Sequence, residues 1–80
     1  MDTAIELSRE TQRRVLEVVD SRKRAVPVRT LIVEVAASDR RISSDQARGA
    51  INTLLSREVL ELRGGNVRRA RTEAALTYAP

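Results

Sequence analysis

Two turns of the segment Ser44-Asp45-Gln46-Ala47-Arg48-Gly49-Ala50-Ile51-Asn52-Thr53-Leu54-Leu55 carry the residues best suited to recognition chemistry. Ala47, Ala50, Ile51, Leu54 and Leu55 recur at helical spacing and form one apolar stripe. At about 100° per residue, the opposite side holds Asp45, Gly49, Asn52 and Ser56, with Arg48 and Thr53 at its margins. A solvated helix usually shows long Glu and Lys side chains there. This one shows Arg, Asn, Gln, Ser and Thr, the side chains that read base edges. Each also has a plainer use. Ser44 and Gln46 suit a helix cap at least as well as a base, and Asp45 complements the positive end of a helix. Arg48 also suits a solvated surface. Gly49 costs a helix interior about 1 kcal/mol relative to Ala, so close approach by DNA or by a protein partner has to compensate.

The start of this helix is written in the sequence. Ser43 is followed three residues later by Gln46, the spacing of a capping box, and Ile42 precedes it as a hydrophobic staple. The helix is expected over residues 44–58.

Composition removes several functions. The chain has 80 residues, enough for one domain, and buries only about 60–65% of its unfolded surface. It contains no Cys and no His, so thiolate metal sites, disulfides, the usual zinc ligands and His-activated nucleophiles are excluded. No spaced carboxylate pair stands out either. No catalytic residue, metal or cofactor is therefore expected, and an enzyme is the least favoured class. Tyr78 is the single aromatic residue, which disfavours stacking on single strands. The absence of a long apolar run or a leader predicts a cytoplasmic chain, nucleoid-associated if bacterial, with no membrane partner. Net charge is +4, and fourteen of the fifteen basic residues are Arg. Guanidinium groups bind phosphate and guanine bidentately, so an anionic partner is favoured over a small-molecule substrate.

Residues 1–7 are expected to fray. Residues 8–22 have a helical pattern, with Leu7, Thr11, Val15, Leu16, Val18, Val19 and Arg22 inward and Glu10, Arg13, Arg14 and Glu17 mostly outward as ion pairs. Arg22-Lys23-Arg24 is a basic connector, either solvated or touching phosphate. Pro27 forces Val26 to be extended, so a brief strand is expected there, followed by a helix over Val28–Ser38 buried through Leu31, Ile32, Val35 and Ala36. Its β-branched residues keep a strand over residues 30–35 open as an alternative. Residues 38–41 read as a turn. From Val59 the period shortens to 2, and Gly64-Gly65-Asn66 reads as a three-residue loop before a return strand over residues 67–71. Residues 72–80 either extend that strand or form a short helix.

The order helix, short strand, helix, turn, helix, hairpin resembles the winged helix-turn-helix family over residues 8–71. The resemblance is carried by Val26-Pro27-Val28, by Ile42-Ser43-Ser44-Asp45-Gln46-Ala47-Arg48, by Leu54-Leu55-Ser56-Arg57-Glu58-Val59-Leu60-Glu61-Leu62, and by Arg63-Gly64-Gly65-Asn66-Val67-Arg68-Arg69. The family usually has a Gly where Glu58 or Val59 stands here. The resemblance implies a mainly α fold with a small β-hairpin: a three-helix core plus wing, a flexible stretch over residues 1–7, and an extension over residues 72–80. It implies that Ser44, Gln46, Arg48, Asn52 and Thr53 of the third helix face bases in the major groove. Arg48 matches guanine, and Asn52 or Gln46 matches adenine. It also implies that Arg63, Gly65, Asn66, Arg68, Arg69 and Arg71 of the wing meet the backbone, setting affinity and register. The expected function is sequence-specific double-stranded DNA binding by a small transcriptional regulator. A homodimer is compatible with it, because one module covers a half-site, and the first helix or residues 74–78 are the expected contact. The competing expectation is a winged-helix adaptor or assembly module that binds protein, favoured by Asp45, Glu58 and Glu61.

Overall fold

The computed structural model describes residues 3–70, with side chains from Glu6 onward. Arg71 and residues 72–80 lie outside the described residues. So do the expectations for the 72–80 extension and a dimer contact through residues 74–78.

The fold is mainly helical, with three helices and a small three-stranded antiparallel sheet, a layout compatible with a helix-plus-wing design. In chain order it runs α1 (Thr3–Ser21), β1 (Val26–Pro27), α2 (Val28–Ser38), α3 (Ser44–Ser56), β2 (Leu60–Arg63) and β3 (Asn66–Arg69). Helix α1 starts at Thr3, upstream of the start expected at residue 8. Its buried stripe is Thr11, Val15 and Val19, with Leu7, Leu16 and Val18 half-buried against the core. The Thr11 hydroxyl is buried at no cost, because it donates to the Leu7 carbonyl oxygen at 2.6 Å. Arg22 falls just after the helix and is exposed rather than inward. The outer ion pairs form as expected: Glu10 and Glu17 each meet both Arg13 and Arg14.

Helix α2 resolves the open choice over residues 30–35. Leu31, Ile32 and Val35 share one face and are buried. A strand would have turned Ile32 to the opposite face from Leu31. Fully burying an aliphatic side chain stabilises by about 1.5–3 kcal/mol, more than the few tenths that β-branching costs a helix. Ile42 is buried before α3 and joins Ala47, Ala50, Ile51 and Leu54 in the core.

Helix α3 stops at Ser56, short of the expected residue 58, because Glu58 takes the left-handed conformation with φ +62°. The Glu58 N–H donates to Leu55 O at 3.1 Å and the Val59 N–H to Leu54 O at 3.0 Å, which is a Schellman stop. The left-handed residue is thus Glu58, one of the two positions where the resemblance leads to a Gly being expected. The hairpin differs from expectation. Its loop has two residues, Gly64 (φ +55°) and Gly65 (φ +80°), both left-handed, and Asn66 already pairs with Arg63. A turn with two positive φ values matches the twist of the strands, so no third loop residue is needed. The return strand accordingly runs over Asn66–Arg69 instead of residues 67–71.

The strand order is β1-β3-β2. Val26 pairs with Val67 and Pro27 with Asn66, so β1 fastens the tip-side half of β3. Beyond β1, the Val28 N–H donates to the Gly65 carbonyl at 2.9 Å. The hairpin tip is thereby tied to the start of α2. Val26, Leu60 and Val67 on the inner face close the core.

Candidate nucleic-acid interface

The capping box at α3 is complete. Ser43 Oγ accepts from the Gln46 N–H at 3.1 Å, and Gln46 Oε1 accepts from the Ser43 N–H at 2.8 Å. This fixes where the helix begins and gives Gln46 a structural task. Thr53 is also engaged, donating from Oγ1 to the Gly49 carbonyl at 3.0 Å. Ser44, Arg48 and Asn52 are exposed and hold no side-chain partner among the described residues.

The five residues expected to face bases fall on two stripes. Ser44, Arg48 and Asn52 follow one another at four-residue spacing, running from the edge of the apolar stripe toward the centre of the exposed face. Gln46 lies about 160° around the axis from Arg48. Gln46, Gly49 and Thr53 instead line a groove of about 360 Å³ against Leu7, Ser8 and Thr11 of α1. Asp45 stands between the stripes, exposed and without an ion-pair partner among the described residues. Gly49 has open space where a Cβ would stand, so nothing inside the fold requires glycine there.

The hairpin arginines divide as well. Arg68 Nε donates to Glu61 Oε1 at 2.6 Å across the strand pair, and both side chains are largely covered. Arg69 reaches back to α1 and donates twice to Asp20, at 2.9 and 3.0 Å. That fork holds the Asp20 carboxyl below its usual range, first through the hydrogen bond and then through the charge of Arg69. Arg63 is exposed with no such partner. Asn66 is exposed at the foot of the turn, and the carbonyl of Gly65 is spent on Val28. Of the expected backbone contacts among the described residues, Arg63 and Asn66 are thus the side chains open to an incoming group, whereas Arg68 and Arg69 already hold carboxylates.

Sequence reasoning missed Arg29. It is exposed and has no partner among the described residues, and its backbone follows directly on the Val28–Gly65 hydrogen bond at the hairpin tip. A signal was available. The cap residue of α2 is Pro27, which offers no side-chain hydrogen bond, and the first turn holds no acid. A basic residue opening an uncapped helix is unfavourable for the helix dipole, which is a reason to ask what else it meets.

The connector also differs in part from its plainer reading as a solvated loop. Arg22 forms an ion pair with Glu34 of α2, whereas Lys23 and Arg24 are exposed and have no partner among the described residues. In the turn between α2 and α3, Asp39 accepts from the Arg41 guanidinium at 2.8 and 3.2 Å and from its backbone N–H at 2.9 Å. These bonds lower the Asp39 carboxyl to about 2.

Among the described residues, no helix is long and apolar enough to cross a membrane. Comparison with protein-family models, curated proteins and solved structures found no match.

Proposed function

We propose that this chain is a winged helix-turn-helix protein that binds double-stranded DNA with sequence preference and acts as a small transcriptional regulator in the cytoplasm. What supports it most is one arrangement: a capped α3 whose stripe Ser44–Arg48–Asn52 has no side-chain partner among the described residues, in a fold that also ties a hairpin tip to Val28 at the start of α2, next to Arg29 in the chain. Arg48 and Asn52 lie four residues apart and offer the paired groups that guanine and adenine match. Arg29 and Arg63 are the phosphate contacts, a revision of the role expected for Arg68 and Arg69. The side-chain-free surface of Gly49 lets the helix approach closely. A homodimer reading two half-sites fits a module of this size.

The test is duplex binding measured over a range of salt, followed by selection of bound sequences from a random pool. Affinity should fall steeply with salt, because phosphate contacts release counterions. Arg48→Ala should relax sequence preference at one position, costing about 1–3 kcal/mol there, whereas Arg63→Ala should weaken all duplexes alike. Affinity indifferent to salt removes the proposal.

A second reading has an observation of its own. Asp45 is exposed at the centre of the outward face of α3 and is unpaired among the described residues. A carboxylate there repels a phosphate backbone and favours a protein-binding module. Asp45→Asn separates the two: it should tighten duplex binding under the first reading and leave it absent under the second.

A further inference from the structure

The basic connector after α1 has an unusual electrostatic setting. Asp20, which lines the same cleft as the connector, is committed to Arg69, and Glu34 is committed to Arg22 of the run itself. Among the described residues, Lys23 and Arg24 have no acidic partner, although both are exposed. The last turn of α1 holds no basic residue, and the run begins one residue beyond it. Lys23 and Arg24 line two open clefts. One, of about 490 Å³, lies between the connector and Asp20, Arg68 and Arg69. The other, of about 270 Å³, lies between the connector and Pro27 and Thr30 at the start of α2.

We infer that Lys23 and Arg24 form a second phosphate-binding point at the base of the sheet, which takes the DNA backbone beyond the hairpin tip. The inference rests on the duplex-binding reading above. The register supports a contact separate from the tip. The tip ends at Gly65, whereas Arg69 beside the connector lies four residues away, roughly 13 Å along an extended strand. Neither cleft is lined by an aromatic ring, so bases are not stacked there. Both cations are exposed, and a single free anion gains little from exposed charges in water. A phosphate polymer held in place by α3 presents its charges at high local concentration.

Binding of a labelled mixed-sequence duplex by the full chain, titrated with potassium chloride, tests this. The variant K23A/R24A should lower the slope of log affinity against log salt by about 2, because each phosphate contact contributes about 0.9. A charge-matched control, R9A/R40A, removes two other exposed and unpaired arginines and should leave the slope within about one contact's worth, 0.9, of the parent. Thermal melting should be unchanged in both, and K23Q/R24Q, which retains the stems, repeats the test if the alanine pair melts early. Inorganic pyrophosphate at equal ionic strength should compete no better than chloride; selective competition would assign the site to a free anion and overturn the inference. An unchanged slope in K23A/R24A, with the parent still binding, overturns it alone, as does an equal drop in the control. A parent with no salt-dependent binding removes the duplex reading as well.

Discussion

The two helices that open the middle of the chain start in opposite ways. Helix α3 is closed by its own side chains: Ser43 and Gln46 satisfy each other's backbone donors, and Asp45 adds a charge of the right sign. Helix α2 begins after Pro27 with no side-chain cap and no acid, and its second residue is Arg29. Its start is held by the sheet, through the Val28–Gly65 hydrogen bond and the pairing of β1 with β3. A locally encoded start survives changes elsewhere in the molecule. A start held by tertiary contacts depends on them.

Removing packing should therefore harm α2 most. Leu31→Ala deletes a fully buried side chain and should cost about 2–5 kcal/mol by denaturant unfolding, with loss of the cooperative transition if the domain is marginal. Gly65→Val should come next. The left-handed conformation at φ +80° costs a side-chain-bearing residue roughly 1–2 kcal/mol, and the strain falls on the bond that holds α2. Hydrogen exchange should speed up at Val28 and neighbouring amides while the first turn of α3 stays protected. Equal loosening of both starts would erase the contrast.

Ser43→Ala attacks the other start. It should cost about 1 kcal/mol and fray α3 from its first turn without touching the amide of Val28. Gly49→Ala should raise stability by about 1 kcal/mol, because a Cβ meets open space inside the fold. A fall in duplex affinity in the same variant would show that the glycine serves an outside partner.

The smallest effect is in acid, in the turn between the two helices. Asp39 titrates near 2 in the folded chain against 3.8 unfolded, and Asp20 is also lowered. A depressed carboxyl stabilises above its unfolded value, and the stability is lost as pH falls through the folded value. Melting temperature should hold above about pH 4 and decline from there toward about pH 2. Asp39→Asn should flatten that decline while leaving neutral-pH duplex binding unchanged.

The sequence by itself determined whatever depends on near neighbours. The α3 capping box, the Pro27 boundary, the helical period of α1 and the glycine turn all follow from contacts a few residues apart, and these were legible. The loop length was not. Two glycines with positive φ already reverse the chain, and only the register Arg63–Asn66 reveals that Asn66 belongs to the strand. The end of α3 was hidden for a similar reason: a left-handed Glu58 costs more than Gly, and the two backbone bonds and the buried Leu60 beyond it hold it there. Tertiary structure decided which arginines are engaged. Arg68 and Arg69 look like open cations in the sequence, but strand pairing and the packing of α1 bring Glu61 and Asp20 against them. Partners far apart in sequence cannot be read from spacing, because the fold alone sets their distance, and Coulomb attraction depends on that distance.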